Sequence, residues 1–336
     1  MLIAIIAMLI GLALLIFSAD GFIDHAVALA NKYHMPKMLI GALIIGVGTS
    51  MPEIVVSSLS ALAGSPGLAL GNAFGSNIVN ITLVLGVTAL IAPIAIQKQV
   101  LKTDFSWLIV ATIVAVGLML DGNISRIDAI ILLVLLIANI CVQIIYAKRH
   151  AQATKTAILA STEVAHELAA DELPAPDDVN TAKSVILLLV ALFVLVSSSR
   201  LIVWGAVELA TLLGLSDLII GLTIVAIGTS LPELVSSVIA ARRGEFEMAL
   251  GNVLGSNLFN TLGVVGVAAL IMPMSVDSEI LNRDTLVMCA ITALLFVLCA
   301  IAIKRDGQLG RLVGALLISC FVAYSAWLIV SVLGAI

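Results

Sequence analysis

Gly48-Thr49-Ser50-Met51-Pro52-Glu53 and Gly228-Thr229-Ser230-Leu231-Pro232-Glu233 decide how this chain is read, because each sets a carboxylate and two hydroxyls inside an otherwise apolar run. They lie 180 residues apart. The same offset carries Gly71-Asn72 onto Gly251-Asn252, Gly75-Ser76-Asn77 onto Gly255-Ser256-Asn257, and Asn80 onto Asn260, with no insertion or deletion between them. The chain reads as a duplication with one site between its halves.

With 62% hydrophobic residues, 11% charged and a mean hydropathy of +1.23, a soluble domain with a polar surface is excluded. The apolar runs are about 20 residues or longer, enough to cross a hydrocarbon core of about 30 Å as helices, and they lack the alternation of a membrane barrel. The expected fold class is therefore an all-α polytopic membrane protein. No basic patch points to nucleic acid. Cys141, Cys289, Cys299 and Cys320 fall inside apolar segments with no C-x-x-C, which fits small packing residues rather than metal or disulfide chemistry. The N-terminus lacks a basic n-region and a cleavage site, so the run from Leu2 is expected to stay as the first spanning helix.

Ten membrane helices are expected at about 2–30, 36–63, 68–92, 104–120, 126–147, 184–212, 217–241, 248–272, 284–303 and 311–335. Thirteen of the sixteen basic residues, from Lys32 to Arg311, fall in the connections after helices one, three, five, seven and nine or at their edges. Arg126 and Arg283 lie on the other side and Arg200 lies within helix six. The positive-inside rule then puts both termini outside and the long connection in the cytoplasm. Five helices per half is an odd number, so the second half, 184–336, is inverted relative to the first, 1–149. Secondary transporters share this plan and hold substrate near the midplane between the halves. The connection 150–183 carries Glu163, Glu167, Asp171, Glu172, Asp177 and Asp178, reading as a solvated helix and a flexible acidic linker.

The spacing S-x-x-E in Ser50 to Glu53 is that of a capping box, with Pro early in the first turn. Capping explains the composition but not the depth, because the motif sits mid-way along a run from about Met38 to Ala63. A helix broken there exposes backbone polar groups, which is tolerated only against protein or a water-filled cavity. An ionised Glu at that depth costs about 2.5–3.5 kcal/mol on insertion scales, and no Lys or Arg is close to Glu53 or Glu233 in sequence. A cationic substrate is the expected counter-charge. Asn72, Ser76 and Asn80 follow at i, i+4 and i+8 on one helix face, as do Asn252, Ser256 and Asn260. Ser76, Asn80, Ser256 and Asn260 are expected to contact the cation, while Gly75, Gly255, Asn77 and Asn257 fit helix packing. Carboxylate, hydroxyl and amide oxygens without thiolate or imidazole suit Ca²⁺, Mg²⁺ or Na⁺.

These paired motifs resemble the α-repeats of the cation/Ca²⁺ exchanger superfamily, and the chain is similar to prokaryotic sodium/calcium exchangers. The resemblance implies an antiporter rather than an enzyme, exchanging cytosolic Ca²⁺ for Na⁺ or, alternatively, H⁺, with no cofactor and the bilayer as its surroundings. It implies Glu53 and Glu233 as the acidic Ca²⁺ ligands. Thr49, Ser50, Ser76, Thr229, Ser230 and Ser256 match hydroxyl positions of the Ca²⁺ and Na⁺ sites, and the carbonyls of Gly46 and Ala226 match backbone ligands. One departure is Asn260, where some sodium/calcium exchangers carry Asp, so the coupling ion stays open between Na⁺ and H⁺. The resemblance also implies that the first and sixth helices move against the rest.

Two further pairs share the offset. Asp20 and Arg200 read as gating or interfacial groups, and Asp104 and Asp284 as helix N-caps. An ion channel would want a ring of groups along a continuous pore. An intramembrane enzyme would want a catalytic motif, and H-E-x-x-H and G-x-S-x-G are both missing from the sequence.

Overall fold

The computed structural model describes residues 1–166, 181–213 and 226–333. The first element, α1 (Leu2–Lys32), is apolar through its first two turns and beyond, and it ends where His34 takes a left-handed φ of 49° ahead of Pro36. Then α2 (Lys37–Thr49) and α3 (Met51–Leu62) meet at Ser50 with a 42° bend. Pro52 supplies the break, since it has no N–H to continue the helical ladder and sits safely in the first turn of α3. Gly64, at φ 71°, ends α3.

The first half continues with α4 (Pro66–Ile91), β1 (Ile94–Ala95), α5 (Lys98–Met119), β2 (Asn123–Ile124) and α6 (Arg126–His166). The second half holds α7 (Thr181–Leu212), α8 (Ala226–Thr229), α9 (Leu231–Arg242), α10 (Phe246–Ile271), β3 (Met274–Ser275), α11 (Ile280–Arg305), β4 (Gln308–Leu309) and α12 (Arg311–Leu333). Among the described residues, eight helices are long and apolar enough to cross a membrane, and nine if the bent pair α2–α3 is one span. The expected helix over 217–241 falls partly outside the described residues, as do the acidic connection from Glu167 to Asn180 and the last residues of the expected 311–335.

Among the described residues the protein is all-helical apart from four two-residue strands and the turns between elements. β1 pairs antiparallel with β4, Ile94 opposite Leu309, and β2 pairs antiparallel with β3, Ile124 opposite Met274. Each half thus lends one strand to the other.

The inside of the bundle is made by α4 and α10, the two spans that carry the Gly-Asn-x-x-Gly-Ser-Asn motifs. α4 and α10 are the most deeply buried of the candidate spans and α12 is the most exposed. Lipid welcomes apolar side chains, so it is the small and polar residues that are gathered inside, where they let backbones approach and bond across helices. A Cβ on Gly255 would lie 2.4 Å from the Ala42 carbonyl oxygen, and one on Gly251 2.3 Å from that of Met38, so α10 packs on α2 backbone to backbone. The Asn77 amide donates to Thr261 at 2.8 Å, and that of Asn257 to the Asn77 carbonyl at 3.3 Å. The expected packing role of Gly255, Asn77 and Asn257 is met, whereas Gly75 has nothing within 4 Å of an added Cβ and makes no such close approach.

Two expectations need correction. α6 runs on to His166 rather than stopping near 147, because charged residues end a membrane span without ending a helix. Asp284 is not an N-cap: α11 starts earlier, and Asp284 lies in its π-helical segment Ile280–Thr285, bonded to Arg283 and to the Tyr324 hydroxyl at 2.9 Å. Asp104 likewise lies within α5, directly after the interruption at Thr103, and accepts from the Thr103 hydroxyl at 2.7 Å.

Candidate functional site

Both Gly-Thr-Ser-x-Pro-Glu stretches are broken helices in the interior. Glu53 and Glu233 occupy the third positions of α3 and α9 and are fully buried. Neither Ser50 nor Ser230 makes the hydrogen bond of a capping box. Ser50 turns instead to the other half and donates to Glu233 Oε1 at 3.3 Å.

The halves interlock around these carboxylates. Thr49 and Ser50 of the first half face Glu233, while Thr229 of the second half and Ser76 face Glu53. The Ser256 hydroxyl reaches the Gly46 carbonyl at 3.2 Å, and Thr49 reaches Asn252 Oδ1 at 3.3 Å and the Ile45 carbonyl at 2.9 Å. Ala226 opens α8, three residues before Thr229. Asn80 and Asn260 each begin a π-helical segment, Asn80–Val84 and Asn260–Val264. These widened turns are frequent at functional sites, and no spacing rule in the sequence announces them.

Unpaired atoms mark the chemistry of this interior. Both oxygens of Glu53, Oε2 of Glu233, the Ser230 hydroxyl and the whole side-chain amides of Asn80 and Asn260 are buried without a hydrogen-bond partner. Buried polar groups are nearly always satisfied, so a concentration of exceptions in one fold-symmetric place needs a physical reason. Acceptor oxygens in such number are satisfied together by a cation. Among the described residues no three His, Cys, Asp or Glu groups cluster for a metal, and the acceptors gathered here are two carboxylates with hydroxyl and amide oxygens.

Sequence reasoning missed the groups that hold the breaks in place. Asn72 donates to the Glu53 carbonyl at 3.3 Å and to Ser57 at 2.9 Å, and Asn252 repeats this on the Glu233 carbonyl at 3.2 Å and Ser237 at 2.8 Å. Asn72 and Asn252 therefore position the carboxylate-bearing turns. From α7, Ser199 donates to the Gly228 carbonyl at 2.8 Å, the carbonyl that Pro232 leaves without its usual partner. Its neighbour Arg200 reaches the Pro52 carbonyl at 3.5 Å and lies within electrostatic range of Glu53. A protein cation thus stands near one carboxylate, which sequence proximity did not reveal. The only signal for it was the run Ser197-Ser198-Ser199-Arg200 inside an apolar helix. Arg200 and Asp20 do not pair; Asp20 and Asp24 of α1 hold Arg243 beyond the end of α9.

Fold and interior together define a polytopic helical membrane protein built around two buried carboxylates and the hydroxyl and amide groups beside them. A family profile described as sodium/calcium exchanger protein matches residues 3–145 and 183–330. The chain belongs to this family, whose members are membrane antiporters, not enzymes. It is 40% identical over 324 residues to antiporter CaxA of Alkalimonas amylolytica, covering 96% of this chain and 98% of that one. It is 36% identical over 328 residues to the inner membrane protein YrbG of Escherichia coli, covering 98% and 97%. The solved sodium-calcium exchanger NCX_Mj superposes with a TM-score of 0.79 at 30% identity, over 97% of this chain and 98% of that one.

Proposed function

We propose that this protein is a ten-helix antiporter of two inverted five-helix repeats, 1–149 and 184–336, that exchanges cytosolic Ca²⁺ for Na⁺ by alternating access. The observation that carries the reading is the crossed arrangement at the breaks: Thr49 and Ser50 of one half face Glu233 of the other and Thr229 faces Glu53, among carboxylate and amide oxygens without a hydrogen-bond partner. Glu53 and Glu233 supply the charge that a dehydrated divalent ion needs. Thr49, Ser50, Ser76, Thr229, Ser230, Ser256, Asn80 and Asn260, with the carbonyls of Gly46 and Ala226, complete the oxygen shell for Ca²⁺ and Na⁺.

Inversion is supported by two contacts between equivalent elements. α1 and α7 lie side by side and run antiparallel, since Gly205 approaches Ala4 while Gly11 approaches Ser198 and Ile202. β3 is equivalent to β1 by the 180-residue offset, yet it pairs with β2, at the other end of α5 from β1. Equivalent loops at opposite ends of the bundle are what inversion requires. Relatives named as a sodium-calcium exchanger and an inner membrane protein support Na⁺ coupling and an inner-membrane location.

Orientation rests on the basic residues, with both termini outside and 150–183 in the cytoplasm. A single Cys at position 162 in place of Thr162, in a Cys-free background, is expected to react with an impermeant maleimide only from the cytoplasmic side. Labelling in intact cells reverses the direction of transport.

Coupling turns on Asn260, which limits the fixed charge of the site to −2 from Glu53 and Glu233. Bound Ca²⁺ balances these two carboxylates, as two protons do, whereas more than two Na⁺ add further positive charge that must cross the field at about 2.3 kcal/mol per charge per 100 mV. Na⁺-loaded proteoliposomes in Na⁺-free medium are expected to take up Ca²⁺ without a pH gradient, and faster with the interior made positive. Uptake that ignores Na⁺ and voltage but follows an imposed pH gradient assigns the protein to H⁺/Ca²⁺ exchange, the second reading that Asn260 favours.

A further inference from the structure

Away from the carboxylates, a cavity of about 610 Å³ opens where the starts of α2, α5 and α10 meet the middle of α6. Its polar wall includes Lys37, Asp104, Gln143, Glu245 and Glu247. Lys37 is held by Glu245 at 2.7 Å, and Gln97 by Glu247. Asp104 has no cationic partner among the described residues, and the amide oxygen of Gln143 is buried without any partner. The rest of the wall is apolar and aromatic, with Trp107 inside and Val142 and Tyr146 exposed on the outer side of α6.

The second repeat shows what this place holds when it is filled. By the repeat offset Asp284 is the counterpart of Asp104, and Arg283 that of Thr103. Arg283 grips Asp284 through Nε at 2.9 Å and Nη2 at 3.2 Å, and also bonds Ser331 at 3.2 Å and Glu279 at 3.3 Å. Ser331 corresponds to Tyr146 by the offset of 185 that relates α12 to α6, which begin at Arg311 and Arg126. One half therefore carries its own guanidinium between the start of one helix and the end of the next. The other half has Thr103 and a cavity.

We propose that this cavity binds the primary ammonium headgroup of an aminophospholipid, phosphatidylethanolamine, with the ammonium on Asp104 and Gln143 and the acyl chains leaving past Val142 and Tyr146. An inorganic divalent cation does not suit it, because Lys37 holds Glu245 and Gln97 holds Glu247, which leaves Asp104 as the one carboxylate of the wall open to a cation, and the volume is that of an organic ligand site. A zwitterion does, since Lys37 stands on the same wall as the carboxylates. Bonds between an ammonium and a carboxylate are directional, and the three N–H groups of a primary ammonium can make them while a trimethylammonium cannot.

The test uses the full chain in nanodiscs of phosphatidylglycerol mixed with either phosphatidylethanolamine or phosphatidylcholine, with retained lipid counted by native mass spectrometry and stability read by thermal unfolding. Wild-type protein is expected to retain phosphatidylethanolamine about tenfold better than phosphatidylcholine and to melt higher in its presence. Thr103→Arg copies the filled half and, with Asp104→Asn, is expected to bring that retention down to the phosphatidylcholine level. Binding of Ca²⁺ by both variants checks that they are folded, and Asp104→Asn decides the matter if Thr103→Arg does not fold. Equal retention of the two lipids by the wild type, or undiminished phosphatidylethanolamine on the folded variants, overturns the proposal. Displacement of the lipid preference by millimolar soluble ethanolamine alone also overturns it, in favour of a free amine.

Discussion

Ca²⁺ uptake is expected to vanish in Glu53→Gln and in Glu233→Gln, while the protein without Ca²⁺ becomes no less stable. Both residues are fully buried, and burying an ionised carboxylate at membrane depth costs about 2.5–3.5 kcal/mol that a neutral amide of the same shape does not incur. On the proposed reading the charge is a burden on folding that a bound cation offsets, with Arg200 easing it at Glu53. The two signs separate function from structure: uptake in proteoliposomes falls to background, and the melting temperature in chelator stays level or rises. Wild-type protein melts higher as Ca²⁺ is added, because a ligand that binds only the folded state stabilises it by mass action. The variants should lose that rise. Near-normal uptake by both would reduce Glu53 and Glu233 to structural residues.

The second large effect is expected at Gly255, through packing alone. A Val there places Cβ 2.4 Å from the Ala42 carbonyl oxygen and 2.5 Å from its Cα, and both atoms belong to backbone that cannot rotate away. α10 must then move off α2. Overpacking of this kind costs about 1–3 kcal/mol and occasionally more. It also strikes the site, since the next residue, Ser256, bonds the Gly46 carbonyl across the same interface. Gly255→Val is expected to unfold well below the wild type in a thermal scan and to lose Ca²⁺ exchange together with stability. Gly117→Ala is the matched control, because Gly117 is exposed on α5 with nothing within 4 Å of its added Cβ, and it should behave as the wild type does. Equal stability of Gly255→Val and Gly117→Ala would mean that the close approach of α2 and α10 is not what holds the interior.

Much of the site was legible because it is written twice. A Glu, two hydroxyls and a Pro inside an apolar run are improbable once and need a cause when they recur at a fixed offset. The charge balance of a membrane span then supplies that cause, because hydrocarbon tolerates neither a lone carboxylate nor a broken helix. Local pattern misled where two explanations share one spacing. Ser50 and Glu53 have the separation of a capping box, yet the Ser50 hydroxyl bonds Glu233, a partner 183 residues away that no window of sequence contains. Asp284 looked like a cap for the same reason and is bound by Arg283 and Tyr324.

By itself the amino-acid sequence determined the helical membrane class, the duplication and the broken motifs, because each follows from solvation or from backbone geometry that acts within one segment. Hydropathy needs only a run of about 20 residues, and a Pro breaks its helix whatever lies beside it. Only the tertiary structure decided which half serves which carboxylate, that Asn72 and Asn252 hold the turns, that Arg200 stands near Glu53, and that Asn80 and Asn260 open π-helical turns. These are contacts between elements far apart in the chain, and their energies depend on packing geometry that no local pattern encodes. The cavity beside Asp104 belongs with them, since an unfilled space is a property of surrounding helices and of no single residue.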